Sequence, residues 1–225
     1  MQGVYMSTYI KFENVSKSFR HEEILKSINF ELKKGKIYGF VGRNGSGKTV
    51  IFKMITGLMR PSSGNIFIEQ VNMTKSKQFP KSVGALIETP GFIGHYNGLK
   101  NLKILNSLSD NRVSLEALKE SMRQVGLDPD NKKPVRTYSL GMKQKLGIAQ
   151  AVMNQPELLI LDEPMNGLDE ESVRSMRCFF KKLKEQGVTI LLASHNQEDI
   201  QILCDELFYI TDGVVQVQKK IEVSA

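Results

Sequence analysis

The stretch GRNGSGKT, Gly42 to Thr49, follows the strand-like run KIYGFV and precedes the helix-like run VIFKMI. It matches the pattern GxxxxGK[ST] of a phosphate-binding loop. Gly42, Gly45 and Gly47 allow backbone N–H groups to turn inward around phosphates, and the positive end of the helix dipole adds to the attraction. The stretch predicts a nucleotide site, but it does not by itself choose among kinases, GTPases and ATPases.

Two side chains at the end of this loop have specific predicted roles. Lys48 is expected to reach the β- and γ-phosphates, and the Thr49 hydroxyl is expected to bind Mg²⁺. The other predicted nucleotide contacts of the loop and of the helix start are Asn44, Ser46 and Val50.

An acidic pair is the second sign of a ligand site. Asp162 and Glu163 lie at the end of the apolar run LLILDEP and precede Pro164. Carboxylates at the carboxyl end of a parallel strand point into the crevice where ligands bind. Asp162 is therefore a predicted Mg²⁺ ligand beside Thr49. Glu163, on the other side of the strand pleat, is a predicted acceptor of a proton from an attacking water.

A histidine follows a third strand-like run, VTILLAS, at its carboxyl end. This position predicts that His195 reaches the same crevice edge as Asp162. It is expected to contact the γ-phosphate or to orient water.

The pattern along the chain predicts an α/β fold. Strand-like runs occupy the opening third, a helical part follows near residues 97–153, and the apolar runs ELLILDEP and VTILLASH flank a helix-like segment. In the helical part, Ser114 is a plausible N-cap and Gly126 a plausible stop. Between them, four apolar residues fall at helical spacing: Leu115, Leu118, Met122 and Val125. We expect an N-terminal antiparallel flap and a parallel sheet buried on both faces.

The composition indicates what class of protein this is, but it does not by itself indicate a function. The 225 residues are 40% apolar, which is enough for a proper core. The formal charge of +7 comes from scattered basic residues and leaves nucleotide, anionic lipid and nucleic acid open as partners.

The two cysteines and the N-terminus bear on where the chain is located. Cys178 and Cys204 both fall in helix-like segments and do not have the spacing of metal ligands. The first ten residues do not resemble a signal peptide. We expect an intracellular chain without membrane spans, because the longest apolar runs are too short.

The segment YSLGM, Tyr138 to Met142, places a hydroxyl and a glycine before the helix-like run KQKLGIAQAVM. A helix entrance of this kind is an anion site. Nothing near it in the sequence supplies an anion.

With these motifs in order, nearly the whole chain resembles the nucleotide-binding subunit of ATP-binding cassette (ABC) transporters. VGRNGSGKT is similar to the Walker A loop, LLILDEP to the Walker B strand, NGLD with Asp169 to the D-loop, and Ser194-His195 to the switch histidine. The resemblance implies a P-loop ATPase fold: a RecA-like core, an antiparallel β-subdomain and a helical subdomain at about residues 90–155, in one domain spanning residues 1–225.

The same resemblance gives YSLGM a partner, because it falls where the family has its LSGGQ signature. In that family two cassettes pack head to tail, and the signature of one closes on the ATP of the other. This implies that Ser139 and Gly141 contact the nucleotide of a second copy or of a paralogous cassette. Asp169 of the D-loop is a further implied nucleotide contact. Phe19 is similar to the aromatic residue that stacks on adenine.

Two departures from the family pattern indicate a branch. Glu88, in VGALIETPGF, stands where the family usually has a glutamine that senses Mg²⁺ and contacts the membrane subunit, and Leu140 and Met142 replace the usual Gly and Gln of the signature. At both positions the sequence resembles that of the cassettes of bacitracin- and lantibiotic-type peptide exporters and self-immunity systems. A carboxylate at position 88 can still bind metal.

The resemblance implies an ATPase that binds ATP and Mg²⁺ at the cytoplasmic face of the membrane and drives a separate permease, for export of an antimicrobial peptide or drug. The alternative is an ABC ATPase that acts on ribosomes or DNA. Members of that kind carry two cassettes or long coiled coils, and this chain has one GK[ST] and no sustained heptads. No nucleic-acid partner is expected.

Overall fold

The computed structural model of this chain describes residues 8–20, 22–76 and 78–219. Residues 1–7, within the stretch considered above for a signal peptide, lie outside the described residues. The strands are β1 (Thr8–Phe19), β2 (Glu22–Lys33), β3 (Ile37–Val41), β4 (Ser63–Ile68), β5 (Val71–Asn72), β6 (Val83–Leu86), β7 (Leu158–Asp162), β8 (Thr189–Ala193), β9 (Glu206–Thr211) and β10 (Val214–Lys219). The helices are α1 (Lys48–Ile55), α2 (Gly98–Leu108), α3 (Leu115–Gln124), α4 (Leu140–Val152), α5 (Glu170–Glu185) and α6 (Gln197–Leu203), with a 3-10 turn at Val135–Thr137.

One sheet is antiparallel and has the strand order β2-β1-β4-β5. Buried and exposed side chains alternate along β2, as a sheet with one solvated face requires. Phe12 and Phe30 face each other across β1 and β2, with ring centroids 4.3 Å apart. The predicted N-terminal antiparallel β-subdomain is confirmed.

One strand of this sheet ends earlier than the sequence suggests. The run NIFIEQV predicts a continuous strand over residues 65–71, and that prediction is wrong. Glu69 and Gln70 have φ angles of 49° and 67°, so the chain turns there and β5 pairs back onto β4.

The second sheet has the order β10-β9-β3-β8-β7-β6, and all its neighbouring pairs except β9 and β10 are parallel. The side chains of β8 are all buried, and so are those of β7 except Asp162 at its end, which explains the apolar runs in the sequence. Asp162 lies opposite Ala193, and Phe40 lies opposite Ala193 from the other side. The carboxyl ends of β3, β8 and β7 therefore meet at one edge of the sheet.

Three helices, α2 to α4, form the middle part of the chain. The side chain of Ser114 accepts a hydrogen bond from the Ala117 N–H, and Gly126 has a φ of 73°, so both predicted boundaries of α3 are confirmed. Leu118 and Leu146 belong to the same buried hydrophobic cluster as Leu161 of β7. The helical part is thus packed on the core sheet.

The approach of α4 to β6 is close at Gly84. A β-carbon at this position would lie 1.8 Å from the Ala151 carbonyl oxygen, so only glycine fits. The carboxyl-terminal half of α4 therefore rests directly on the sheet.

The two cysteines differ in burial. Cys178 lies in α5 and is exposed, whereas Cys204 is buried. The helix placement of Cys204 is wrong by one residue, because α6 ends at Leu203 and Cys204 is its C-cap with an extended backbone.

Candidate functional site

The loop from Gly42 to Gly47 connects β3 to α1. A β-carbon on Gly42 would lie 2.6 Å from the Ile210 carbonyl oxygen, and Gly47 has a φ of 108°, so glycine is needed at both positions. The Ser46 hydroxyl oxygen is buried and has no hydrogen-bond partner among the residues that the structure describes. An orphan hydroxyl in a glycine-rich loop between a strand and a helix fits a phosphate oxygen.

Lys48 starts α1 and is only 8% exposed. Its Nζ atom donates to the carbonyl oxygens of Gly42 and Arg43, at 2.7 and 3.1 Å. The ammonium group is thereby held across the mouth of the loop, where it can exchange these carbonyl contacts for phosphate oxygens.

Thr49 and Asp162 meet although 113 residues separate them. The Thr49 hydroxyl donates to Oδ2 of Asp162 at 2.6 Å. A hydroxyl and a carboxylate are hard oxygen donors of the kind that Mg²⁺ prefers. Among the described residues, no group of three or more His, Cys, Asp or Glu side chains could hold a metal ion.

Glu163 follows Asp162 in a left-handed backbone conformation, with a φ of 52°. Its N–H donates to the Ala193 carbonyl at 2.9 Å, and its own carbonyl accepts from the Asn166 N–H at 3.2 Å. A side-chain-bearing residue adopts this conformation only where its surroundings enforce it. The backbone of Glu163 is therefore fixed between the end of β8 and the loop after β7.

The carboxylate of Glu163 faces His195. Its Oε2 atom lies 2.8 Å from Nδ1 of His195 and accepts from the His195 N–H at 3.3 Å. An ionised carboxylate can only accept, so a hydrogen bond between the two side chains requires the tautomer of His195 with its proton on Nδ1. The structure thus brings together the two residues that the strand-end argument predicts.

The loop carrying His195 is held from behind by a buried ion pair. Asp199 is 1% exposed and accepts from Nε of Arg177 at 2.8 Å, and Ser194 donates to Asp199 at 3.4 Å. Arg177 also binds Glu198 and so lowers the pKa of that carboxyl. A charged anchor at this position limits movement of the loop.

The phosphate loop, Asp162 and Glu163 line one crevice of about 680 Å³, whereas His195 contacts Glu163 but is not part of this lining. Its walls include most of the predicted site residues: Phe19, Asn44, Gly45, Gly47, Lys48, Thr49, Val50, Glu88, Asp162 and Glu163. A cavity of about 480 Å³ lies elsewhere, near the start of β7, and none of the predicted site residues lines it.

Phe19 and Glu88 lie at the rim of this crevice. Phe19 ends β1, is 43% exposed, and has the Lys17 ammonium 4.9 Å from its ring centroid. Glu88 has a φ of 61°, and its carboxylate forms an ion pair with Lys53 at 2.6 Å. The predicted metal ligand therefore already has a cationic partner on α1.

Ser139 is the N-cap of α4, and its hydroxyl accepts from the Met142 N–H at 3.2 Å. Ser139 is exposed and does not line the crevice. A β-carbon on Gly141 would lie 2.7 Å from the Gly167 carbonyl oxygen, so the start of α4 packs on the loop after β7. Asp169 ends this loop as the N-cap of α5, and hydrogen bonds from the N–H and the hydroxyl of Ser172 lower its pKa.

Residues 25–166, more than half of the chain, match the family model described as ABC transporter. The chain belongs to the ABC transporter family. ABC ATPase membership confirms the ATP-binding, ATP-hydrolysing class that the resemblance implies.

Three relatives are similar to this chain over nearly its whole length. The uncharacterized ABC transporter ATP-binding protein YybJ of Bacillus subtilis (strain 168) is 38% identical over 216 residues, covering 94% of this chain and 97% of the relative. The bacitracin transport ATP-binding protein BcrA of Enterococcus faecalis is 40% identical over 210 residues, with coverage of 92% and 68%. The lantibiotic transport ATP-binding protein SrtF of Streptococcus pyogenes is 35% identical over 215 residues, with coverage of 96% and 92%.

Solved structures confirm the ABC ATPase fold. The dimeric cassette MJ0796 in a post-hydrolysis state bound to ADP and Pi has a TM-score of 0.84 at 22% identity, covering 93% of this chain and 98% of that one. An ATP-binding subunit of an ABC transporter has a TM-score of 0.84 at 25% identity, with coverage of 94% and 90%. None of the helices within the described part of the ABC chain is long and apolar enough to cross a membrane.

Sequence reasoning missed two residues of this ABC site. Lys53 pairs with Glu88, and the Gln144 side chain donates to the Glu163 carbonyl at 2.9 Å. Gln144 did leave a signal, because it lies at helical spacing with the buried Ile148 and Ala151 on α4. A polar side chain within such an apolar stripe requires a hydrogen-bond partner.

Proposed function

We propose that this ABC ATPase binds Mg·ATP in the crevice, closes head to tail on a second cassette, and couples hydrolysis to a separate membrane permease that exports an antimicrobial peptide or drug. The observation that carries the catalytic part is the convergence of Lys48, Thr49, Asp162, Glu163 and His195 at the carboxyl edge of three parallel strands. Ligands of open α/β sheets bind at this edge.

In this proposal the loop holds the phosphates. Lys48 leaves the carbonyls of Gly42 and Arg43 for the β- and γ-phosphates, and the Phe19 ring stacks on adenine. The remaining nucleotide contacts come from the backbone and side chains of the loop and of the start of α1: Gly42, Asn44, Gly45, Ser46, Gly47 and Val50.

Thr49 and Asp162 are the proposed Mg²⁺ ligands, and their 2.6 Å hydrogen bond supports this because it brings both oxygens to one point. When bound, the ion neutralises charge on the β- and γ-phosphates. Glu88 pairs with Lys53 through Oε1, so we propose it as a third metal ligand whose binding competes with this ion pair.

Glu163 is the proposed base of hydrolysis. A water oxygen bonds to the γ-phosphorus as the bond from that phosphorus to the β,γ-bridging oxygen breaks, and the water proton passes to the Glu163 carboxylate. His195 orients that carboxylate through Nδ1 and contacts the γ-phosphate. ADP and inorganic phosphate are the products.

Ser139, Gly141 and Asp169 are proposed to contact the ATP held by the partner cassette. Ser139 is exposed and caps α4, whose positive end is then free to face a phosphate. The dimeric, ADP- and Pi-bound state of the similar cassette MJ0796 also supports a two-cassette arrangement.

The permease and the exported compound are inferred from relatives. The names of BcrA and SrtF assign them to bacitracin and lantibiotic transport, and we extend peptide export to this chain. The permease places the chain at the cytoplasmic face of the membrane. We propose one domain over residues 1–225, with the permease contact on the helical subdomain at about residues 90–155, near the Glu88 loop.

The first experiment replaces the proposed base. Glu163→Gln keeps the side-chain volume but removes the proton acceptor, so steady-state ATP hydrolysis is expected to disappear while ATP-dependent dimers persist in size-exclusion chromatography. Rapid turnover by this variant would remove Glu163 from the base role.

Two further measurements test the shared site and the partner. A Lys48→Ala chain mixed with a Ser139→Arg chain is expected to leave at most one competent site per mixed dimer, and two working sites would contradict the shared-site arrangement. Affinity isolation from membranes is expected to recover a multi-span protein. Recovery of only ribosomes or DNA would overturn the transport proposal.

A further inference from the structure

Gln144 is buried on α4, 7% exposed, and reaches out of its helix to the main chain of Glu163. Its Nε2 atom lies 2.9 Å from the Glu163 carbonyl oxygen. A carbonyl oxygen can only accept, which sets the orientation of the amide. The contact therefore joins the helical part of the chain to the residue proposed as the base.

Gln144 contacts the Glu163 backbone, whose left-handed conformation must be stabilised by surrounding hydrogen bonds. Glu163 has a φ of 52°, and its N–H is held by Ala193 at 2.9 Å. Its carbonyl accepts two hydrogen bonds, one from the Asn166 N–H at 3.2 Å and one from Gln144. Losing the Gln144 donor frees one side of a strained peptide whose orientation determines where the carboxylate points.

The position of Gln144 on its helix also connects it with the signature segment. α4 begins at Leu140 with Ser139 as its N-cap, so Gln144 lies little more than one turn from the proposed phosphate contact of the partner site. A shift of the helix start would move Gln144 relative to Glu163, whereas the close packing of Ala151 on Gly84 holds the far end of α4 against β6.

We propose that Gln144 is a positioning residue for hydrolysis: it holds the Glu163 peptide so that the carboxylate meets His195, and it makes this alignment depend on the place of α4. The inference rests on the proposed base role of Glu163. Gln144 is part of the crevice wall, but its amide nitrogen is engaged by the Glu163 carbonyl, so we expect its loss to change the chemical step and to leave nucleotide binding largely unchanged.

The competing explanation is that Gln144 only fills space and satisfies a buried carbonyl. Both explanations predict some loss of stability when the amide is removed. They differ in the kinetics, because a packing role alone gives no reason for kcat to fall at unchanged ATP affinity in the fraction that stays folded.

The first test compares two equal substitutions on one helix. Gln144→Met keeps the length of the side chain and removes the donor, and Gln150→Met is the control at a half-buried position of α4. We expect kcat of the full chain to fall about tenfold for Gln144→Met, with the ATP dissociation constant within about twofold of wild type. Gln150→Met should match wild type. Equal kcat values for the two variants would overturn the proposal.

A double-mutant cycle separates this proposal from the base role itself. If Gln144 acts through Glu163, then adding Gln144→Met to Glu163→Gln should not lower the residual single-turnover rate further. A tenfold effect that persists in this background means that Gln144 acts elsewhere, and the proposal fails. If Glu163→Gln turns over rapidly, the base role fails instead, whatever the result for Gln144.

Discussion

Nδ1 of His195 lies 2.8 Å from Oε2 of Glu163, so the carboxylate at the end of β7 is already oriented by a ring that follows the end of β8. The neighbouring parallel strands determine this meeting, because their carboxyl ends lie at one edge. Loss of either side chain is therefore expected to affect the same step.

His195→Ala is expected to lower kcat about a hundredfold with little change in ATP affinity, because a preorganised donor to the reacting groups is lost. Steady-state hydrolysis and equilibrium nucleotide binding provide the two numbers. His95→Ala is the control, since His95 is exposed and packs beside Tyr96. A similar loss from both substitutions would contradict the proposed role.

Thr49→Val is expected to raise the Mg²⁺ concentration needed for half-maximal hydrolysis by about tenfold or more, because the side chain keeps its shape but loses its hydroxyl oxygen. Thr49→Ser keeps that oxygen and should stay near wild type. A Mg²⁺ titration of the hydrolysis rate gives the comparison. Equal titration midpoints for Thr49→Val and wild type would rule out Thr49 as a ligand.

Ser139 and Ser114 make the same capping hydrogen bond, each with a 3.2 Å distance to an N–H three residues ahead. Replacing either with Ala should therefore lower the free energy of unfolding by about 1 kcal/mol. Only Ser139→Ala should also reduce ATP hydrolysis, measured at concentrations that favour dimers. Equal activities of the two variants would leave Ser139 with capping alone.

The pKa of Asp169 is lowered by hydrogen bonds from the N–H and then the hydroxyl of Ser172, so the folded chain binds this proton less readily than the unfolded chain. The stabilisation is fully present above the ordinary aspartate pKa of about 4 and is lost as the pH falls through the folded value. Asp169→Asn keeps a cap acceptor but does not titrate. Denaturant unfolding below about pH 5 should show a shallower loss of stability for the variant, and parallel curves would contradict this cause.

Much of the site could be predicted because it depends on local patterns with a fixed structural meaning. A glycine loop between strand and helix, acidic residues after an apolar run and a histidine after another all place their side chains at the ends of parallel strands. The prediction that Ser114 caps a helix likewise requires only the residues next to it in the sequence, and the structure confirms this prediction.

Other features depend on contacts between segments that are far apart in the sequence. Gln144 and Glu163 are 19 residues apart, and Lys53 and Glu88 are 35 apart, so neither pair follows from periodicity. The left-handed φ of Glu163 could not be predicted from the sequence either, because glutamate has no particular preference for this conformation. Knowledge of the sheet order and of the place of α4 is needed to find these pairs.

The unequal burial of the two thiols offers a native handle for labelling. A maleimide dye should react with Cys178 on the surface of α5 and leave the buried Cys204 untouched until the chain unfolds. One dye per folded chain and two per unfolded chain then give a direct count of the folded fraction. The same single dye, on the helix that Asp169 begins, can report by fluorescence when two cassettes meet, without any engineered cysteine.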